Sequence, residues 1–346
     1  MTHPAYQKDE TLRNLILEPG ISGYEDPVRN LIMNMVEGAG RLWEDSMGNL
    51  VLELGGSGSR VLMAAHMDEL GLLVTGIMKD GTLAFRKLGG IEDQWLPGLH
   101  VTVHTKKGPV PGIIGALPPH IRKLVGSQQG VPAWHELRID VGVDSEDEAR
   151  DLGVETLDPV TFMKHYTLLA GGRRLSARGI DDRAGCAALV ELAQAVRSGE
   201  VKLGAELMLA WTVQEEVGLR GAHALASRIE PELFVAVDTT TCCHPSITGG
   251  LRLGRGPVVR AVDNHYIAPP RLVRGIARLA RARRIPVQVS TAGGGTDAAA
   301  FQLRGVPSVG LSAAIKYTHS MAELLDLGDY EGWIQLLRAI AEEPPL

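Results

Sequence analysis

Both ends of this chain alternate β-type and helical runs while its middle does not. That contrast predicts an α/β fold, a mixed sheet covered by helices and interrupted by a small inserted β-rich domain. Length agrees, since 346 residues suit one large domain or two ordinary ones. Composition agrees as well: 45% hydrophobic and 22% charged residues can fill a core and exclude wholesale disorder.

The elements follow in order. Leu12, Leu15 and Ile16 open an amphipathic helix that Pro19-Gly20 ends. Val28, Leu31, Ile32, Met35 and Val36 mark a second helix by their i, i+3, i+4, i+7, i+8 spacing. Val51 to Leu54 and Val61 to Ala65 read as strands on either side of the turn Gly55-Gly56-Ser57-Gly58-Ser59, and the second ends at His66. From about Gly71 to Phe162, short β-type runs (Leu72 to Val74, Val101 to His104, Val110 to Ile114) are broken by Gly and Pro, as in a small β-rich domain. Beyond Arg178 the α/β rhythm returns. Ala184 to Val196, Leu272 to Arg284 and Tyr330 to Ala341 read as helices. Glu206 to Val213, Leu233 to Val237 and Val306 to Leu311 read as strands. The expected division is residues 1–70 with 163–346 as one domain and 71–162 as the insert.

Several classes of function are excluded. A net charge of −6 argues against a polyanion binder, so no nucleic-acid partner is expected. The Arg-rich stretch Arg271 to Arg284 carries Leu272, Ile276 and Leu279 at helical spacing and reads as a solvated helix face. Cys186, Cys242 and Cys243 cannot build a disulfide framework, and the adjacent pair would be strained if joined. Free thiols in a reducing compartment are the simplest reading. The first ten residues show no apolar signal region, and no apolar run reaches the ~18–20 residues that span a bilayer. The expectation is a soluble, cytoplasmic protein with no membrane partner.

The chemistry-bearing residues stand just past the predicted strands. They are His66 and Asp68, Asp181 and Asp182, Glu215 and Glu216, Asp238, and His319. Open α/β sheets collect ligands outside the carboxyl ends of their strands. Imidazole and carboxylate without thiolate suit a catalytic rather than a structural zinc. Two ions need a shared carboxylate with terminal ligands on each side. One histidine and one acid per ion plus one shared aspartate can be drawn from this set, with two carboxylates left for base and orienting work. Taken singly, each group has a plainer reading: a rim histidine, an N-terminal helix cap with an exposed ion pair at Asp-Asp-Arg, a solvated Glu pair, or a loop cap.

The runs around these residues change that balance. Ala-Ala-His66-Met-Asp68-Glu-Leu-Gly71, Gly-Ile-Asp181-Asp-Arg-Ala-Gly-Cys186, Val-Gln-Glu215-Glu216-Val-Gly218, Val-Asp238-Thr, Gly-Gly-Gly-Thr-Asp297-Ala and Tyr317-Thr-His319-Ser-Met-Ala-Glu323 occur in that order. Pro-Gly-Ile-Ser-Gly-Tyr-Glu25, Asp45-Ser-Met-Gly-Asn49 and Gly-Ala-Leu-Pro-Pro-His120 add to them. Over nearly its whole length the chain resembles the tetrahedral-aminopeptidase family of glutamyl and deblocking aminopeptidases. The resemblance implies a metallo-exopeptidase fold and two divalent ions per subunit, zinc or cobalt. It implies His66 and His319 as terminal imidazole ligands, Asp181 as the bridge, and Glu216 and Asp238 as the remaining ligands. Glu215 is then the general base of a metal-bridging water, and Asp68 the acid that fixes His66. The implied reaction is hydrolysis of the N-terminal peptide bond of peptides. The implied assembly is a homo-oligomer built from dimers, up to a tetrahedral dodecamer, with the insert as dimerisation or lid domain.

Some positions depart from the family pattern. Thr-Thr-Thr-Cys242-Cys243-His244-Pro245 follows Asp238 where many relatives carry another acid, and Lys316 replaces a common Arg. Both bear on substrate preference. Cys242, Cys243 and His244 as an extra metal cluster, and His120 as a residue approaching an active site, are each outweighed by plainer structural readings. Two other functions fit less well: a metal-dependent deacylase of N-acyl amino acids, and a non-catalytic metal-binding accessory protein, against which an intact Glu215 argues. A glycosidase would need two carboxylates flanking a sugar bond, not histidines on metals.

Overall fold

A computed structural model describes residues 10–118, 120–121, 130–244 and 250–346. The first nine residues, Pro119, Pro245 and the rest of the two remaining gaps lie outside the described residues, so the reading of the chain start is not addressed there. Contacts divide the chain into two units. One takes in the chain up to Asp68, His165–Thr318 and Ala322–Leu346; the other is Glu69–Lys164 with His319–Met321.

The first unit begins with α1 (Glu10–Leu17), α2 (Asp26–Met35), β1 (Arg41–Glu44), β2 (Leu50–Gly55) and β3 (Arg60–His66). The second unit contributes β4 (Gly71–Ile77), β5 (Leu83–Leu88), β6 (His100–Thr105), β7 (Gly108–Ile114), β8 (Ile139–Asp140), α3 (Glu146–Asp151) and β9 (Pro159–Phe162). The first unit resumes with β10 (Tyr166–Leu169), β11 (Arg174–Ala177), α4 (Ile180–Ser198), β12 (Glu206–Thr212), α5 (Arg220–Ala226) and β13 (Leu233–Thr241). It closes with β14 (Val258–Val262), α6 (Pro270–Ala282), β15 (Gln288–Thr291), α7 (Ala298–Gln302), β16 (Ser308–Lys316), β17 (Glu323–Asp326) and α8 (Leu327–Glu342).

In the first unit one mixed sheet runs β1-β2-β12-β3-β13-β16-β17-β11-β10, with β14 and β15 branching from β16. β12, β3, β13 and β16 are mutually parallel. Their sequences are near-continuous apolar runs, as strands covered on both faces require: every residue of β3 after Arg60 is buried. At the edge, β10 alternates half-buried and exposed residues instead. The parallel register sends four strand ends the same way. His66, Thr212 with the Glu pair beyond it, and Asp238 therefore share the carboxyl rim.

The Arg-rich stretch forms α6, which buries Leu272, Ile276 and Leu279 and exposes Arg271, Arg274, Arg278 and Arg281. The reading of a solvated face therefore stands. No described helix is long and apolar enough to cross a membrane.

The second unit is a closed barrel in the order β4-β5-β8-β7-β6-β9. Period-two placement sends Leu72 and Val74, Leu83 and Phe85, and Val101 and Val103 into its core. Strand extents differ from the sequence reading in one respect that matters. β13 does not stop before Asp238 but continues to Thr241, paired residue by residue with β16. The run Thr239–Thr241 is β-branched, with Thr239 and Thr240 buried and Thr241 exposed, so it extends the strand despite its polarity.

Candidate active site

Two strand ends, the interior of β13 and one helix start build the site. His66 closes β3 and is 3% exposed. Its Nδ1 lies 3.0 Å from the Asp68 carbonyl oxygen, so this nitrogen carries the proton and donates it. That tautomer leaves a lone pair on Nε2, the state a metal ligand needs. Around Nε2 stand Asp181 Oδ1 at 3.4 Å, Asp238 Oδ1 at 3.9 Å and Glu215 Oε2 at 4.0 Å. Ligand atoms of His66, Asp181 and Asp238 all fall within 4.8 Å of one another. Those of Asp181 and Glu216 do so as well.

Asp68 holds the Glu pair in place. Fully buried, it accepts the Glu215 N–H on Oδ1 at 2.9 Å and the Glu216 N–H on Oδ2 at 3.2 Å. Ser22 Oγ donates to the same Oδ2 at 2.6 Å. One residue earlier, Gln214 sits in the left-handed region at φ 55° and donates its N–H to Glu25 Oε1 at 3.0 Å. A non-glycine residue held there costs ~1–3 kcal/mol, which these buried acceptors offset. The strand end is thereby bent between two carboxylate anchors. Glu25 was legible only as part of a motif; its anchoring partner lies 189 residues away.

Asp181 and Asp182 open α4 with non-helical dihedrals, joined by a cis peptide bond, behind Gly179 at φ 80°. The Asp181 N–H donates to Glu323 Oε2 at 3.2 Å. Arg183 is not the exposed partner in an ion pair that Asp-Asp-Arg suggests. It is fully buried and donates to the carbonyls of Met67, Leu15, Glu18 and Gly20 at 2.7, 2.7, 2.7 and 3.0 Å. It ties the start of α4 to the end of β3 and to the segment after α1. Arg183→Ala orphans these carbonyls, and hydrogen bonds to charged groups are worth ~1.5–3 kcal/mol each. The expected loss is at least ~3 kcal/mol of unfolding free energy, read from denaturant midpoints.

Asp297 gained no role from the sequence. It is 4% exposed and accepts the Thr212 hydroxyl on Oδ2 at 2.6 Å, at the end of the strand leading to the Glu pair. His319 belongs to the second unit, at φ 65°, against Gly90. His120 is exposed. Cys186 is a buried free thiol. Cys242 and Cys243, expected as free thiols, are instead joined in a disulfide, with Cys243 turned to φ 73° so that both sulfurs meet.

The electrostatics favour a cation. Burial raises the Glu215 carboxyl well above its usual range, reinforced by the Asp238, Glu216 and Asp297 charges. Burial and then the Asp181 charge push Asp238 up to about 7. Asp297 rises to about 6, chiefly from burial. For Asp68, burial acts in the same upward sense, but the hydrogen bond and charge of His66 hold it below its ordinary value. A site that gathers acids until they resist ionisation is one where a divalent ion restores the charge balance. Imidazole and carboxylate oxygens are a fitting donor set for zinc or cobalt.

Residues 48–336 match the family model described as M42 glutamyl aminopeptidase. A lysyl aminopeptidase of Pyrococcus furiosus is 34% identical over 342 residues, covering 96% of each chain. The glutamyl aminopeptidase of Lactococcus lactis subsp. cremoris is 32% identical, covering 92% of this chain and 91% of its own. A solved structure of the Pyrococcus horikoshii TET1 peptidase, described as able to assemble into a tetrahedron or a large octahedral shell, matches at TM-score 0.91 and 44% identity. It covers 96% of this chain and 99% of that one.

Proposed function

Because the chain belongs to the M42 glutamyl aminopeptidase family, we propose that it is a metal-dependent aminopeptidase that removes the N-terminal residue of peptides with two divalent ions. The observation that carries this reading is the convergence of Asp181, Asp238 and Glu215 on the one free nitrogen of His66. His66 and Asp238 would hold one ion and Glu216 the other, with Asp181 as the shared carboxylate and His319 as the remaining ligand that the family resemblance implies. His319 enters three residues beyond β16, the strand paired with the one that carries Asp238.

When bound, such ions lower the pKa of water and polarise a peptide carbonyl. The remaining work falls to the chain itself. Glu215 accepts the proton of the attacking water at Oε2 and returns it to the leaving amine. Its Oε2 lies 4.0 Å from His66 Nε2, beside the other carboxylates of the cluster, where it can hold a proton between the two steps. Asp68 keeps the His66 tautomer and, through two backbone N–H groups, the position of Glu215. The assembly of the TET1 relative supports a homo-oligomer for this chain too.

A panel of aminoacyl-anilides and N-acyl amino acids, run with zinc, cobalt and manganese in turn, tests the reading. Aminoacyl substrates should be cleaved only with metal. Cleavage confined to the N-acyl amino acids would make the protein a deacylase, and metal uptake without turnover of either class an accessory protein.

A further inference from the structure

After β16 the chain returns to the second unit for three residues only, His319–Met321. Met321 packs against the core of the barrel. His319 is turned to φ 65°, two residues after Tyr317 does the same at φ 62°. A non-glycine residue stays in that region only where its surroundings hold it. Within the second unit, the His319 ring lies against a turn of the insert.

That turn follows β5 and runs Gly89-Gly90-Ile91-Glu92-Asp93. Ile91 is 3% exposed and belongs to the barrel core, and its N–H donates to the Gly89 carbonyl at 3.1 Å. The Lys87 ammonium donates to the Ile91 carbonyl at 2.6 Å and pairs with the Asp93 carboxylate. Asp93 in turn accepts the Trp134 N–H on Oδ2 at 3.1 Å. One cation thus ties the middle of the turn to its end.

The two glycines of the turn have different reasons. Gly89 stands at φ 81°, where the turn itself requires glycine. Gly90 is exposed and is not in the left-handed region, so its backbone admits any residue. A Cβ on Gly90, however, would stand 3.3 Å from His319 Nδ1 and 3.7 Å from its Cε1. Nothing else among the described residues comes within 4 Å of it. Non-bonded heavy atoms pack best at ~3.5–4.0 Å, so the imidazole or the turn would have to give by a few tenths of an ångström. Metal–ligand distances hold to about ±0.2 Å. A shift of that size at a ligand ring is therefore felt in metal affinity.

We propose that Gly90 is a positioning residue for His319: the bare backbone of the 89–93 turn is the seat on which the ring lies, and it fixes the imidazole for the ion assigned to Glu216. The proposal rests on the two-ion aminopeptidase reading. It gives the insert a part in metal binding beside the dimerisation or lid role that the resemblance implies.

The test reads metal binding, not turnover. Zinc and cobalt affinities of the full chain are measured by competition with a chelator, and the thermal melt of each variant is recorded in excess chelator. Gly90→Ala should bind the second ion about tenfold more weakly, the lower end of the ~10–100-fold that loss of a ligand's supporting contact costs. The first ion and the melt in chelator should match those of the wild-type protein. Gly115→Ala is the control, since a Cβ at that position in the second unit meets nothing within 4 Å. It should bind both ions as the wild-type protein does. His319→Ala should bind the second ion more weakly still. With the ring gone, adding Gly90→Ala should cause no further loss. Wild-type affinity in Gly90→Ala overturns the proposal and leaves the ligand scheme standing. An equal further loss in the double variant, or a melt in chelator lowered by Gly90→Ala, overturns it too, because Gly90 would then serve the barrel fold. Retention of both ions in His319→Ala overturns the ligand scheme and the seat with it, a result distinct from the failure of the seat alone.

Discussion

Glu215→Gln is expected to turn over ~10²–10⁴-fold more slowly than the wild-type protein while retaining its metal. The amide keeps the shape of the side chain and cannot accept the proton of the attacking water. Its backbone N–H still donates to Asp68, so the bend of the strand end survives. The side chain faces the same His66 nitrogen as Asp181 and Asp238, at 4.0 Å, but takes no part in the ligand scheme. Elemental analysis beside turnover at saturating metal checks both halves of the expectation. Metal loss in Glu215→Gln, with metal retention and lost rate in Glu216→Gln, would reverse the roles of the neighbours.

Asp181→Ala should have the larger effect, because it removes the carboxylate assigned to both ions. Metal content should drop below one ion per chain, and turnover should fall ~10³-fold or more, the scale of several kcal/mol of transition-state stabilisation. Glu216→Gln should lose only the second ion. The buried Arg183 clamp keeps the start of α4 in place in both variants, so their thermal melts in chelator should stay near that of the wild-type protein. A melt lowered as far as that of Arg183→Ala would mean that Asp181 serves the fold rather than the metal.

The fold class was legible because the central strands are buried on both faces. Such strands read as unbroken apolar runs, and β3, β12 and the first half of β13 have that character. Among the candidate site residues, His66 and Asp238 stand out for a related reason: a histidine or acid that ends an apolar run is conspicuous. Where polarity and burial part company, the sequence misleads. Arg183 looks solvent-facing, yet its partners are four carbonyls from distant segments, which leave no mark in its own neighbourhood. Thr239 to Thr241 look like a loop and are strand. Asp297 has its partner 85 residues away at Thr212, a pairing only the folded sheet creates. The Cys242–Cys243 disulfide depends on a backbone turn that adjacency alone argues against.

The central claim is a pair of divalent ions that the reaction requires. Metal content per chain, titrated from the chelated protein with zinc or cobalt while turnover of an aminoacyl-anilide is recorded at each step, tests it most directly. The account predicts saturation at two ions per chain, with turnover absent from the chelated protein and maximal only when both ions are bound. Full turnover in the chelated protein, or saturation of both binding and rate at a single ion, would contradict it.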